Sequence, residues 1–318
     1  MPSIIELTKF ITSEFNRALK LFPLPKRPEY LYGPIKYSLK GKGKRFRPIL
    51  VHLSGRKYKV DPENIMKVSL AVELLHCFTL IHDDIMDSDE TRRNMPTLHK
   101  QYDTSAAILA GDGIFTISQL ILNGIENKPT QLLLSYNQAV LEICEGQALD
   151  KDFEGKDDIS LNNYISMVEK KTGALLAACC YLPAILAGEA EETIKILQHT
   201  GKHLGVAFQI QDDLFEIFGD ETAMGKSLGS DILSNKKTAV AIESKKCFQS
   251  EWNEIVEEFD GKNLAKLRKF LVDNKIKKKV QDIAENHFFS AYDWLIQLGF
   301  DKHSELYKFI KIIQERHS

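Results

Sequence analysis

The chain has 318 residues, of which 43% are hydrophobic and 27% charged, values that are typical of globular proteins and exclude collagen-like and disordered chains. Its 42 basic and 44 acidic residues leave a formal net charge of -2, so no overall positive field indicates nucleic-acid binding. The five cysteines are an odd number without a Cys-x-x-Cys pair, which fits neither a disulfide framework nor a zinc site. We therefore expect a cytoplasmic protein.

The start of the chain predicts a helix rather than a secretory signal, because residues 1–20 carry acidic side chains and lack an uninterrupted apolar core. Apolar residues recur there at three- and four-residue steps, as one helical face requires: Ile4, Leu7, Ile11, Phe15 and Leu19. The longest apolar run, residues 173–188, is shorter than the ~20 residues that span a bilayer. It also contains Pro183, so we expect a buried helix and no transmembrane segment.

A second helix is predicted to start at Asp61, a suitable N-cap residue followed by Pro62. From Ile65 to Ile85 this helix is apolar almost all round, which predicts burial on most sides. Further helical patterns occur at 104–123, 129–150, 160–188, 191–218, 236–248, 252–259, 262–273, 276–298 and 302–316. Three segments are predicted as loops, at 41–48, 88–96 and 219–237. Strand alternation and a flexible linker are both missing from the sequence, so we expect one all-α domain over residues 1–318.

The apolar helix ends in the acidic sequence HDDIMD, which contains Asp83, Asp84 and Asp87. Asp83 and Asp87 are four residues apart and so lie on one helical face. Two such carboxylates repel each other unless a cation lies between them. Mg²⁺ prefers oxygen ligands and takes others from water or a phosphorylated ligand. Alone, this motif fits a metal site and a solvated acidic helix end equally well.

A second acidic motif, FQIQDDLFE, also follows an apolar helical pattern and contains Asp212, Asp213 and Glu216. Asp212 and Glu216 repeat the four-residue spacing. Helical bundles build metal sites from carboxylates on facing helices, and the Glu-x-x-His pairs of di-iron centres are missing from both motifs. The two motifs together favour magnesium with a phosphorylated ligand.

Basic residues accompany both acidic motifs. Arginine binds phosphate oxygens in a bidentate manner, whereas lysine supplies a mobile point charge. Each of these residues alone is typical of a solvated surface, but their shared position beside two metal motifs indicates anion binding. They are Lys44, Arg45, Arg47, Arg92, Arg93, Lys170, Lys171, Lys226, Lys236 and Lys237.

From about Pro34 to Val240 the chain resembles the trans-isoprenyl diphosphate synthases, or polyprenyl synthetases. The segments that carry the resemblance are GKGKRFRP, ELLHCFTLIHDDIMDSDETRR, KKTGALL, FQIQDDLFEIFGD, and a GK followed by DILSNKKT. The resemblance implies a single large helical bundle of the isoprenoid synthase type, with the two acidic motifs facing a central cavity. It also implies a homodimer and Mg²⁺-dependent 1'-4 condensation of isopentenyl diphosphate with allylic diphosphates.

The resemblance also implies a role for individual residues. Those that hold the diphosphate of isopentenyl diphosphate are Lys44, Arg47, His76 and Arg93. Those that hold the allylic diphosphate are Arg92, Lys171, Lys226 and Lys236. Three Mg²⁺ ions, or Mn²⁺ in their place, lie on Asp83, Asp87 and Asp212, while Thr172 and Gln209 lie near the developing allylic cation. The residues that contact the metals indirectly or through water are Asp84, Asp213 and Glu216.

Three further features of the resemblance bear on loop geometry, metal geometry and product length. Lys42 stands where the family commonly has glycine, and Glu216 stands where it commonly has aspartate. Phe78 lies five residues before Asp83, about 7.5 Å along the helix axis. With Thr79 beside it and no insertion in the motif, an aromatic residue there accompanies short products. We expect geranylgeranyl diphosphate (C20), with farnesyl diphosphate (C15) second.

Other interpretations of the sequence are a longer-chain polyprenyl diphosphate synthase, a class I terpene cyclase, a non-catalytic synthase subunit, or a structural helical protein. A cyclase has no need for the second diphosphate site that Lys44, Arg47 and Arg93 imply. A non-catalytic subunit tolerates loss of acidic residues, whereas both acidic motifs here are largely intact. For His76 and Phe78 the alternative is a packed core position.

Overall fold

A computed structural model of the chain describes residues 3–41, 43–93, 95–126, 129–219, 228–261 and 264–316. The described residues are mainly helical, which confirms the predicted all-α class. In the first half the helices are α1 (Ile4–Leu21), α2 (Glu29–Ser38), α3 (Phe46–Lys57), α4 (Pro62–Met86), α5 (Leu98–Gln101), α6 (Thr104–Asn123) and α7 (Thr130–Glu154). Strands β1 (Thr91–Arg92) and β2 (Met95–Pro96) pair antiparallel between α4 and α5.

The second half of the chain continues as a series of helices, with one π-helical turn at Glu169–Gly173. These helices are α8 (Leu161–Val168), α9 (Ala174–Leu186), α10 (Glu191–Phe218), α11 (Ser230–Leu233), α12 (Ala239–Glu257), α13 (Ala265–Asp273), α14 (Ile276–Gln297) and α15 (Glu305–Gln314). Residues 220–227 of the third predicted loop lie outside the described residues.

Side-chain caps begin helices α1 and α4, and the predicted start of α4 at Asp61 is confirmed. The Ser3 side chain accepts a hydrogen bond from the Glu6 backbone, and the Glu6 carboxylate accepts one from the Ser3 backbone, which forms a capping box for α1. Asp61 accepts hydrogen bonds from the Glu63 and Asn64 backbone groups at the start of α4. Local side chains thus satisfy amide groups that a helix end leaves unpaired.

Some elements differ from the sequence prediction. Helix α2 was not predicted, and α3 starts at Phe46 within the segment expected to be a loop. The two helices predicted at 236–248 and 252–259 form the single element α12, which bends at Phe248, where φ is -146° and ψ is 52°. The paired strands β1 and β2 were missed because each has two residues, too few to show an alternating pattern.

The residues divide into two compact units, each assembled from three separated chain segments. The first unit comprises Met1–Val140, Ala178–Leu197 and Ser304–Phe309. One of its core clusters lies among α2, α4, α5 and α6, where fully or almost fully buried side chains include Ile35, Leu74, Ala107 and Ile114. This packing buries α4 along most of its length, as its apolar sequence predicts.

The second unit comprises Leu141–Ala177, Gln198–His303 and Ile310–Ser318. Its core includes one face of α10, which contributes Val206, Ile210, Leu214 and Ile217. Buried side chains of α8, α12, α13 and α14 belong to the same cluster, Trp252 among them. The prediction of a single domain over 1–318 stays a prediction.

By length and apolar composition, α4 and α6 are the two described helices that could cross a membrane. The most apolar part of α4 is 56% buried within the protein, as expected for a core helix, and that of α6 is 39% buried. The same composition occurs in core helices of soluble proteins, so the expected absence of a transmembrane segment stays a prediction.

A buried ion pair fixes the basic loop that precedes α3. Arg45 and Glu73 both lie in the interior, and Arg45 Nη1 donates to Glu73 Oε1 at 2.5 Å. Arg45 also donates to Asn16 Oδ1 at 3.0 Å and to the Gly41 carbonyl at 3.1 Å. One guanidinium therefore ties the loop to α1 and α4. Because these contacts occupy the Arg45 guanidinium, we do not include Arg45 among the candidate anion-binding residues.

Replacing Glu73 by alanine should lower the free energy of unfolding by about 3–5 kcal/mol, because it leaves the Arg45 guanidinium buried without its counter-ion. Urea denaturation followed by circular dichroism measures this change. Arg17→Ala is the matched control, since Arg17 pairs with Glu14 at the surface and its side chain is 70% exposed. Equal losses in the two variants would contradict the structural role of the buried pair.

Candidate active site

The first acidic motif lies at the carboxyl-terminal end of α4, where the helix dipole disfavours negative charge. Asp83 and Asp87 are half-buried, and the Asp87 backbone N–H donates to the Asp83 carbonyl at 2.8 Å. Asp84 is buried. Carboxylates in this position require nearby cations.

Arg92 supplies one such cation from strand β1. Its guanidinium donates to Asp84 Oδ1 at 2.5 Å and to Asp89 Oδ2 at 3.1 Å. Thr97 Oγ1 donates to the Asp89 carbonyl at 2.7 Å and so braces the same turn. The structure thus brings Arg92 and Asp84 together, and the paired strands hold Arg92 beside the motif.

Several arginines surround His76, which lies about two helical turns before Asp83. Burial, reinforced by the positive charges of Arg47, Arg93, Arg92 and Arg45, lowers the pKa of His76 well below its usual range. The imidazole is therefore neutral near pH 7, and the guanidinium groups of Arg47 and Arg93 place positive charge beside it. This is the environment that an anion such as diphosphate requires.

Arg93 is oriented toward the same loop as Arg45. A Cβ atom placed on Gly43 would lie 3.2 Å from Arg93 Nη1, so the side chain passes directly over the loop backbone. Lys44 is exposed in this loop, and Lys42 lies outside the described residues. The structure therefore brings Arg47, His76 and Arg93 together, with Lys44 at the surface of their loop.

The second acidic motif lies on α10, where the buried Asp213 is the centre of a hydrogen-bond network. Tyr164 Oη donates to Asp213 Oδ2, as does the Ala239 backbone N–H at 3.2 Å. Gln209 Nε2 donates to Asp213 Oδ1 at 3.2 Å, while Gln209 Oε1 accepts from Thr172 Oγ1 at 3.2 Å. A chain of contacts thus joins Thr172 to Asp213 through Gln209.

Burial raises the pKa of Asp213 to about 7, and the nearby negative charge of Asp231 acts in the same direction. The hydrogen bonds that Asp213 accepts from Tyr164, Gln209 and Ala239 oppose this rise. Tyr164 is a site residue that sequence reasoning missed, because no feature of SLNNYISM distinguishes its hydroxyl from that of a core tyrosine.

Glu216 has a local structural role. Its buried carboxylate accepts hydrogen bonds from the Gly229 backbone at 2.6 Å, the Ser230 hydroxyl at 2.6 Å and the Asp231 backbone at 3.1 Å. Burial raises its pKa, although these donors oppose the rise. The Glu216 side chain thus reaches the start of α11.

Asp212 faces Arg316, which follows helix α15. Arg316 Nη2 donates to Asp212 Oδ1 at 2.6 Å, and the Asp212 side chain is 36% exposed. Sequence reasoning also missed Arg316, since 103 residues separate the two positions and no motif relates them.

Lys171 and Thr172 lie in the π-helical turn between α8 and α9. Lys171 Nζ donates to Asp150 Oδ2 at 2.6 Å. A Cβ on Gly146 would lie 2.2 Å from the Lys171 backbone nitrogen, and one on Gly205 would lie 2.3 Å from the Cα of Gly173. Only glycine permits the backbones of α7 and α10 to approach the turn so closely. Such turns are frequent at functional sites.

Two other predicted basic residues lie after the second motif. Lys236 is exposed, with its Nζ 3.5 Å from Asp231 Oδ1. Lys226 lies outside the described residues. Asp231 thus connects Lys236 to residues 229–231, whose backbone and side-chain donors bind the Glu216 carboxylate.

Phe78 lies in a stack of rings. The rings of Phe78 and Phe115 of α6 are 5.3 Å apart with an interplanar angle of 29°, and the His82 ring is 4.7 Å from Phe78. This arrangement makes a continuous aromatic wall one to two turns before Asp83. Neither Phe115 nor His82 was singled out from the sequence, because the partners of Phe78 depend on how α4 and α6 pack.

The acidic residues fit a metal that arrives with an anionic ligand. Among the described residues no three His, Cys, Asp or Glu side chains converge to hold a metal ion by themselves. Asp83 and Asp87 nonetheless offer oxygen ligands from one helical face. Mg²⁺ takes few protein ligands and completes its shell with water and phosphate oxygens, so this donor set suits it.

A family model described as Polyprenyl synthetase matches residues 28–288, most of the chain. The chain belongs to the polyprenyl synthetase family.

Individual members of this family can be compared with the chain. The geranylgeranyl diphosphate synthase of Methanosarcina mazei is 37% identical over 246 residues, which cover 76% of each chain. The short chain isoprenyl diphosphate synthase of Methanocaldococcus jannaschii is 36% identical over 280 residues, or 87% of this chain and 83% of that protein. The crystal structure of geranylgeranyl pyrophosphate synthetase from Pyrococcus horikoshii Ot3 has 33% identity and a TM-score of 0.85, covering 98% of this chain and 97% of that one.

Membership of the polyprenyl synthetase family confirms the predicted enzyme class: the protein is a prenyltransferase that uses isoprenoid diphosphate substrates. It excludes the structural helical protein as an interpretation. The predicted roles of individual residues, and the placement of both acidic motifs at one cavity, stay predictions.

The raised pKa of Asp213 leads to a pH-dependent stability. In the unfolded chain an aspartic acid titrates near pH 3.9. Between about pH 4 and 7 the folded state therefore binds one proton more than the unfolded state, and stability falls as the pH rises. Asparagine does not titrate, so the melting temperature of Asp213→Asn should rise relative to that of the wild type across this range.

Calorimetry with EDTA in the buffer measures this difference. The control is Asp293→Asn, which removes one negative charge from an exposed position on α14. A difference between Asp213→Asn and wild type that stays constant from pH 4 to 7 would contradict the raised pKa.

Proposed function

We propose that this prenyltransferase condenses isopentenyl diphosphate with allylic diphosphates, 1'-4, and that its product is geranylgeranyl diphosphate (C20), with farnesyl diphosphate (C15) as the second candidate. The observation that carries this proposal is the group of arginines around the neutral His76, which Arg92 links to the first acidic motif through Asp84. A positive site for one diphosphate thus adjoins carboxylates suited to a second diphosphate and its metal.

The proposed product length rests on the relatives and on Phe78. Relatives from Methanosarcina mazei, Geoglobus acetivorans and Sulfolobus acidocaldarius, 33–37% identical, are geranylgeranyl synthases. Others make geranylfarnesyl or farnesyl diphosphate. In our proposal the wall of Phe78 and Phe115 ends the space for the growing hydrocarbon, because the rings stack and resist displacement.

Each basic residue has a proposed substrate. Isopentenyl diphosphate is held by Lys44, Arg47, His76 and Arg93. The allylic diphosphate is held by Arg92, Lys171, Lys226 and Lys236. Lysine and arginine form charge-assisted hydrogen bonds with phosphate oxygens, which supports this assignment. The ion pairs of Lys171 with Asp150 and of Arg92 with Asp84 keep both cations in place before substrate arrives.

Members of the polyprenyl synthetase family generally use Mg²⁺. We propose three ions, held with the allylic diphosphate by Asp83, Asp87 and Asp212, with Mn²⁺ able to replace them. Bound metal supplies charge neutralisation on the leaving diphosphate. Asp84, Asp213 and Glu216 act indirectly, since their carboxylates are engaged by neighbouring protein donors.

In the proposed mechanism, the cationic side chains stabilise negative charge on the diphosphate as the allylic carbon–oxygen bond breaks. Thr172 and Gln209 lie near the developing allylic cation in this proposal, and the hydrogen bonds from Thr172 to Gln209 and from Gln209 to Asp213 hold the two side chains in place. The apolar helices exclude water from the allylic cation until the new bond forms. The isopentenyl double bond then forms the new carbon–carbon bond, and the released diphosphate takes the proton that is lost.

We also propose a homodimer. Helix α6 exposes Ile108, Leu109 and Leu120 on one side, by 43%, 46% and 62%. Grouped exposed apolar residues are typical of interaction surfaces.

The proposed cellular location is the cytoplasm. Its reducing conditions suit the five free cysteines, of which Cys144 and Cys247 are exposed.

Metal-ligand variants test the proposed reaction. Asp83→Ala and Asp212→Ala should each reduce turnover by orders of magnitude, because each removes a carboxylate that holds the metal. The measurement uses Mg²⁺, labelled isopentenyl diphosphate and each candidate primer, with chromatographic sizing of the dephosphorylated products. EDTA should stop the reaction and Mg²⁺ restore it. Asp158→Ala, at an exposed position, is the control; full activity in Asp83→Ala or Asp212→Ala would refute the assigned role.

A substitution at Phe78 tests the proposed product length. Phe78→Ser should shift the products to chains longer than those of the wild type, because it removes a ring from the aromatic wall. Leu80→Ser is the matched control: Leu80 is half-buried on the same helix, two residues from Phe78, and so points in a different direction. If the active Phe78 variant gives the wild-type product distribution, Phe78 is only a packing residue.

A further inference from the structure

One face of α10 forms a binding site for the Arg316 side chain. The guanidinium donates to Asp212 Oδ1 at 2.6 Å, to Gln211 Oε1 at 3.1 Å and to the Phe208 carbonyl at 3.0 Å. Its central carbon lies 3.7 Å from the Phe208 ring centroid and 5.2 Å from that of Phe215. These four residues, spaced three and four apart on the helix, are called here the arginine seat.

Most contacts of the arginine seat do not depend on Asp212. Stacking on Phe208 and the hydrogen bonds to neutral oxygens would hold the guanidinium without an anion. The preceding chain is anchored as well, since Gln211 Nε2 donates to the Gln314 carbonyl at 2.8 Å and Tyr292 Oη donates to Gln314 Oε1 at 3.0 Å. Only 11% of the Arg316 side chain is exposed. The positive charge is therefore built into the site beside Asp212.

We propose that Arg316 competes with the metal ion for Asp212 and so sets the metal concentration at which the second acidic motif is occupied. This inference rests on the proposed function, in which Asp212 is a metal ligand. Arg316 acts through Asp212 and is a positioning residue; it need not touch substrate.

The charges determine the direction of the effect. The guanidinium neutralises the Asp212 carboxylate and repels a second cation brought to it. A metal ion must either displace the guanidinium or bind beside it, and both cost free energy. Removing the positive charge should therefore tighten metal binding. If Arg316 instead served only to hold Asp212 in a binding geometry, its removal would weaken metal binding.

The experiment measures binding of Mn²⁺ by the full chain, with Mn²⁺ followed by electron paramagnetic resonance. Because no three described His, Cys, Asp or Glu side chains hold a metal ion by themselves, inorganic diphosphate is present at one fixed concentration to complete the oxygen shell. A background with Asp83→Asn and Asp87→Asn leaves Asp212 as the metal-ligand carboxylate under test. Arg316→Gln, which removes the charge, should lower the dissociation constant for Mn²⁺ about tenfold, the size of one charge-assisted hydrogen bond. Arg316→Lys keeps the positive charge but loses the planar guanidinium that the seat holds, so it should tighten Mn²⁺ binding less than Arg316→Gln does.

Lys311→Gln is the matched control, because it removes a positive charge from α15 whose partner is Glu315. Unchanged or weaker Mn²⁺ binding in folded Arg316→Gln overturns the inference, as does equal tightening in Arg316→Lys or Lys311→Gln. Asp212→Asn in the same background tests the proposed function separately. If Mn²⁺ binding survives Asp212→Asn, Asp212 is not a metal ligand and the proposed function fails at this residue. If Asp212→Asn abolishes Mn²⁺ binding but Arg316→Gln leaves the dissociation constant unchanged, only the competition is refuted.

Discussion

A carboxylate that lies on an apolar helix needs a compensating donor, and this requirement organises both units. In the first unit, Arg45 and Arg92 each reach back to an acidic residue of α4. In the second, Asp213 and Glu216 are held by hydroxyl and backbone donors, and Glu216 thereby fixes the start of α11. The acidic residues are thus structural organisers as well as candidate ligands. Arg45, Arg92 and Gly229 lie outside the long helices, so their contacts with these carboxylates help to position the connecting segments.

Much of the fold could be predicted because it depends on local patterns. The three- and four-residue apolar spacing predicts α1, and Asp61 with Pro62 predicts the start of α4. Helix α3 was missed because its first residues belong to the basic, glycine-flanked segment 41–48, which is typical of a loop. Arg45 adopts a left-handed conformation there, with φ of 54°, and its buried partner Glu73 is what makes this start favourable.

The candidate site likewise contains residues that local sequence patterns predict and residues that they do not. Its acidic and basic motifs are contiguous in sequence and were recognised from their spacing and family resemblance. Tyr164 and Arg316 were not, because each acts on a carboxylate 49 or 104 residues away. A lone tyrosine or arginine carries no local signal of such a partner. Only the packing of α8 and of the segment after α15 against α10 shows which polar group meets which carboxylate.

The glycine contacts at the π-helical turn have a consequence for how this enzyme can change over evolution. Gly146 and Gly205 bring main chain against main chain, with no layer of side chains between the turn and its neighbours. Lys171 and Thr172 therefore take their positions from the backbone itself. Side chains elsewhere, such as Phe78, can vary in size without moving them. In the proposed function, a substitution at Phe78 changes product length, whereas the backbone contacts at Gly146 and Gly205 leave no room for an added carbon beside Lys171 and Thr172.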